Sequence, residues 1–198
     1  MTVAVLFARG DSVYKSLPGC DVYDASRDAR TYDGPWPVVA HPPCRGWGRL
    51  RAFAKPRADE RNLGRLAVAL VREFGGVLEH PAFSALWASQ AMALPGSRDS
   101  FGGWTFPAPQ QWWGHRAKKD TWFYICGVEP ADLPPIPFVM GEATHVIAQC
   151  KTLPDGSRVT KGHRKWKPET TKTEREATPL ELAHWLLELA GRARTCSP

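Results

Sequence analysis

"PVVAHPPCRGWGRLR", residues 37–51, runs three apolar residues into a histidine, two prolines and a cysteine. Val38, Val39 and Ala40 are a short continuous apolar run, the pattern of a strand covered on both faces. Pro42 and Pro43 cannot continue a sheet ladder, so the strand ends and the chain bends rigidly. The side chain carried out at that bend is Cys44.

The flanking segments repeat the strand-then-turn pattern. "TVAVLFA" (2–8) and "CDVYDA" (20–25) read as strands, the second ending in Asp24. Residues 58–74 place Leu63, Leu66, Ala67, Leu70, Val71 and Phe74 at helical spacing, and Gly75-Gly76 stop that helix. "VLEHP" (77–81) and "DTWFYICGV" (120–128) are further strands. A last helix is expected with Thr178 as N-cap, Pro179 at its first position and Glu181 closing a capping box. Strand, helix, strand with polar residues at the strand ends predicts an α/β fold, a Rossmann-like sheet with flanking helices, whose ligands bind outside the carboxyl ends of the strands. One domain over residues 1–198 is expected, with a polar, basic loop at about 151–172.

Composition narrows the function. The chain has 198 residues, 43% of them hydrophobic and 23% charged, as in a globular protein. No apolar run is long enough to span a bilayer, and the start lacks a signal-peptide pattern, so a cytoplasmic location and no membrane partner are expected. Five cysteines (Cys20, Cys44, Cys126, Cys150, Cys196) without paired spacing suit reduced thiols. A net charge of +6 favours a polyanionic partner such as nucleic acid. Most of the nine tryptophans are expected in the core rather than stacked on bases.

Three strand-end segments stand out together: "HPPC" with Cys44, "LEHP" with Glu79, and "WWGHRAKK" ahead of the 120–128 strand. "AHPPCRGWGRL" resembles the Pro-Pro-Cys turn of the cytosine-C5 DNA methyltransferases, with His41 where that family has Gly or Asp. "VLEHPAF" is similar to the family's Glu-Asn-Val strand, Glu79 matching and His80 standing at the asparagine. "GHRAKKDTWFYICG" is similar in placement and charge to the Gln-x-Arg-x-Arg segment, and "VLFARGDS" is similar in part to the methyl-donor loop. The chain also resembles short phage-encoded methyltransferase-like proteins with a His-Pro-Pro-Cys strand end.

The resemblance implies a shortened methyltransferase sheet and methyl transfer from S-adenosylmethionine to C5 of cytosine, in DNA or a cytosine nucleotide. Cys44 would be the nucleophile at C6 and Glu79 would hold and protonate the base. Phe7, Ala8, Gly10, Asp24 and Pro42 would contact the donor. Arg45, Arg49, Arg116, Lys118, Lys119, Arg164 and Lys165 would face nucleic acid, and the cations beside Cys44 would lower its thiol pKa. The alternative is a methyltransferase-fold protein that binds nucleic acid or a protein without catalysis. Thymidylate-synthase-type enzymes share the Pro-Pro-Cys chemistry, but their folate and phosphate-arginine motifs are missing from the sequence. His41, Cys44, His80, His115 and Cys126 are zinc-ligand types, yet their spacing is not that of a zinc deaminase, so no metal is expected.

Overall fold

A computed structural model describes residues 1–49, 51–149, 152–153 and 156–194. Six strands form one sheet: β1 (Val3–Leu6), β2 (Cys20–Val22), β3 (Val38–Ala40), β4 (Gly76–Pro81), β5 (Trp104–Pro109) and β6 (Asp120–Cys126). Their order is β2-β1-β3-β4-β6-β5. The first four run parallel, and β6 is antiparallel to both β4 and β5. The chain moves from β1 out to β2 and then back past β1 to β3. The carboxyl ends of β1 and β3 therefore flank the topological switch point, the place where such sheets bind ligands.

Helices cover both faces, which is why the central strands are apolar throughout. On one face α1 (Glu60–Phe74) packs Ala67, Val68, Leu70 and Val71 against Ala4, Leu6, Val38, Ala40 and Leu78, joined by the short α2 (Ala85–Ser89) through Leu86 and Trp87. On the other, α4 (Leu180–Gly191) sets Leu182, Trp185, Leu186 and Leu189 against Val5, Val39, Val77, Phe123 and Ile125. Gly75 (φ 73°) and Gly76 (φ 116°) turn α1 directly into β4. A Cβ on Gly76 would lie 2.0 Å from the Val38 carbonyl oxygen, so only glycine permits that close passage.

Several expectations are adjusted. The helix expected at 58–74 begins at Glu60, whose carboxylate accepts from the Arg57 amide. The last helix begins at Leu180 with Pro179, in extended conformation, at the cap position, and no side chain caps it. β5, α2 and a short α3 (Lys172–Glu176) were not expected. Thr171 supports α3 by accepting from the Glu174 amide. Lys151, Pro154 and Asp155 of the expected basic loop, and Cys150 and Cys196, lie outside the described residues. Trp47, Trp87, Trp104, Trp113, Trp122 and Trp185 are buried, as core residues should be.

Candidate functional site

The loop after β3 buries Pro42 and leaves Cys44 exposed. The Cys44 carbonyl then accepts from the Trp47 and Gly48 amides, at 3.0 and 2.8 Å, which fixes the turn. The thiol pKa moves up rather than down, contrary to the expectation from the neighbouring cations. Loss of water around the sulfur is the main cause, and the Glu79 carboxylate adds to it while Lys119 opposes. Arg45 does not supply the expected rim charge, because it reaches back to α1 and donates two bonds to Glu60 (2.9 and 2.7 Å). Arg49 is exposed on the following loop.

Glu79 leaves β4 at its carboxyl end and sits among hydrogen-bond donors. The Gln110 amide nitrogen donates to its Oε1 at 2.8 Å, and the Thr121 hydroxyl lies 3.5 Å from the same oxygen. His41 Nδ1 is 3.3 Å from Oε2, and the Tyr14 hydroxyl is 3.0 Å from His41 Nε2. Burial alone would raise the Glu79 pKa. The His41 bond and the nearby positive charge of Lys119 outweigh it and hold the group down to about 2. Glu79 is thus an ionised acceptor, which assigns a proton to His41 Nδ1, while the Tyr14 hydroxyl with its own proton faces Nε2. Burial raises the Tyr14 pKa well above its ordinary value and keeps that proton in place.

Gln110 escaped the reading of the sequence, and His41 was named there only in its motif and as a zinc-ligand type, although each touches Glu79. Gln110 is buried, and with its nitrogen committed to Glu79 and Thr121 its Oε1 has no partner among the described residues. An orphaned buried acceptor beside a carboxylate invites a ligand that brings N–H groups. His80 points to the other side of the sheet, fully buried beside Trp87, with both ring nitrogens unpartnered among the described residues. Burial lowers its pKa to about 4, so it is neutral at pH 7.

The expected phosphate contacts are only partly gathered here. Arg116 pairs with both oxygens of Glu174 on α3, and Lys118 pairs with Asp120 at 3.0 Å. Lys119, held at φ 42°, is the cation whose charge reaches Glu79, Cys44 and His115. Arg164 and Lys165 are exposed on the basic segment, which is pinned beside this end of the sheet by Val146 bonding to Pro168 and Thr170.

On the donor side the expected residues are engaged with one another. Asp24 accepts from Lys15 through Oδ2, and from the Ser26 and Arg27 amides through Oδ1. The Lys15 bond, followed by those two amides, lowers its pKa to about 2. Arg9 grips Asp11 with two bonds (2.8 and 2.9 Å) and Glu176 with a third (3.0 Å). Phe7 is strained at φ 62°, Ala8 bonds to Tyr23, and Gly10 has open space where a Cβ would stand. In this arrangement Asp24 and Arg9 are held by partners of their own.

Cavities of about 510 Å³, beside Gly127 and Arg194, and about 400 Å³, beside Met1 and Gly19, lie at the opposite end of the sheet, away from this chemistry. Among the described residues no cluster of His, Cys, Asp and Glu is arranged to hold a metal ion, and no helix is long and apolar enough to cross a membrane. Comparison with protein-family models, curated proteins and solved structures finds no match.

Proposed function

We propose that this protein receives a cytosine base, in DNA or as a nucleotide, at the carboxyl ends of β3 and β4. Cys44 is the nucleophile toward C6 and Glu79 holds the amine edge, the base-handling half of a C5-methyltransferase. The observation that carries this reading is the pairing of an exposed thiol with a donor-fixed carboxylate on adjacent strand ends, next to the unpartnered Gln110 oxygen. Carboxylate and amide oxygens are the acceptors that an exocyclic amine requires.

Chemistry at this site begins from a protonated thiol and an ionised Glu79. Cys44 gives its proton to Glu79, the sulfur bonds to C6, and the C5–C6 π pair moves into the ring toward N3. The proton then passes from Glu79 to N3, so Glu79 acts first as base and then as acid. Transfer of that proton also removes the negative charge that holds the thiol pKa up. Bonding to Tyr14 and Glu79 makes His41 a positioning residue for this exchange.

A second reading, a nucleic-acid-binding protein that transfers no methyl group, is favoured by the engaged Asp24 and Arg9. Calorimetry with S-adenosylmethionine separates the two. Micromolar binding supports the methyltransferase in full; no detectable heat, with or without a cytosine oligonucleotide, supports the second reading.

A further inference from the structure

Residues other than glycine that hold positive φ at this end of the sheet include Phe7, Lys119 and Phe83, the last at φ 60°. For a bulky side chain that conformation persists only where its surroundings enforce it, and such residues gather at functional sites. Phe83 is enforced from both sides. The Ser84 amide bonds to the Pro81 carbonyl at 3.2 Å, and the Ala82 amide bonds to the Asp120 carbonyl at 3.1 Å. Despite this clamp, Phe83 is 70% exposed. Its ring leans on Trp122 at 4.8 Å, and Trp122 meets Trp87 edge-on at 5.3 Å. Trp87 is anchored in turn by Thr105 at 2.9 Å. An aromatic column rooted in the core thus ends in a ring held out to water, four positions beyond Glu79.

A basic loop is fastened beside it. Besides Arg45, which is paired with Glu60, residues 45–57 contain Arg49, Arg51, Lys55 and Arg57 and no acid. The Trp47 carbonyl accepts from the Ala85 amide (3.0 Å) and the Ser84 hydroxyl (3.3 Å), which ties the loop to the turn that carries Phe83. Phe53, within the loop, is 86% exposed.

We infer that Phe83 is a stacking platform for an unpaired base and that the polymer taken here is single-stranded nucleic acid, its backbone lying along the 45–57 loop. Cations that track a backbone beside an outward aromatic ring are the recurring means of binding single strands. A duplex offers the protein its base edges and phosphates rather than open base faces. The inference deepens the cytosine-site reading by naming the form of its substrate. The binding it describes uses neither Cys44 nor a methyl donor.

The test is fluorescence anisotropy with labelled single strands of about 12 nucleotides and the matching duplex, over a series of salt concentrations. Phe83→Gly removes the ring while leaving a residue that adopts φ 60° without strain, so the turn survives. It is expected to weaken single-strand binding by about 5- to 150-fold, the worth of one stacked base, with no change in salt slope. Phe83→Trp should retain binding. Arg49→Ala with Arg51→Ala should lower the salt slope by about 1.4. Wild-type affinity in Phe83→Gly, tighter binding of duplex than of single strand, or no binding of either by the wild type would overturn the inference. Cytosine chemistry is read separately, as a covalent adduct at Cys44. Stacking without an adduct defeats the cytosine site alone, and an adduct with binding indifferent to Phe83 defeats this inference alone.

Discussion

The carboxyl ends of β1 and β2 and those of β3 and β4 lie side by side in one sheet, yet they treat their polar groups in opposite ways. At the first, Asp24, Lys15, Arg9 and Asp11 satisfy one another in ion pairs, and Glu176 of α3 closes over Arg9. At the second, Cys44 is an exposed residue, a buried amide oxygen lacks a partner among the described residues, and a phenylalanine is forced out into water. A group already paired gives up those bonds to bind a ligand, whereas an orphaned group gains one. On the proposed reading, the contrast teaches that the protein holds the base side ready for a ligand.

Acid titration should break the symmetry most strongly. His80 takes up a proton near pH 6.5 when unfolded but only near pH 4 when folded, so its contribution is complete above pH 6.5 and is lost as pH falls toward 4. That shift corresponds to about 3 kcal/mol. His80→Leu should flatten this limb of the stability curve in chemical denaturation. Asp24→Asn should leave it untouched, since Asp24 titrates between its ordinary 3.8 and about 2. Equal effects of the two would erase the distinction between the regions.

Base choice comes next. Gln110→Leu removes the orphaned acceptor and should reduce the preference for cytosine over uracil in single strands by roughly tenfold, read in competition binding. An unchanged preference would remove Gln110 from the site. Smaller still is the thiol: Glu79→Gln deletes the like charge that holds its pKa up, so alkylation of Cys44 by iodoacetamide at neutral pH should quicken several-fold. Glu176→Gln should act in the same direction and more weakly, since Glu176 contributes least to that shift. Slower alkylation in either variant would contradict the electrostatics.

The sheet was legible where one strand carries its own signal. β1, β3, β4 and β6 are apolar runs bounded by turn residues, and α1 shows its stripe. β5 was hidden because Pro107 and Pro109 argue against a strand; at the sheet edge, paired on one side only, they are tolerated. Cys44 and Glu79 could be named because each ends its own strand. Gln110 and His41 could not be connected to Glu79, since topology brings them there: β6 returns antiparallel beside β4 and carries the 110–113 turn with it. The cations misled for the same reason. Arg45 and Arg116 look free along the chain, but Glu60 and Glu174 meet them only in the fold.

The central claim, that Cys44 adds to C6 of a base held by Glu79, is tested most directly with a single-stranded oligonucleotide containing 5-azacytosine. Its C6 accepts a thiolate without a methyl donor, the proton going to N5. Intact-protein mass spectrometry should show one oligonucleotide attached to the wild type and to Asp24→Asn, and none to Cys44→Ser. No adduct on the wild type, or one that survives loss of Cys44, would contradict it.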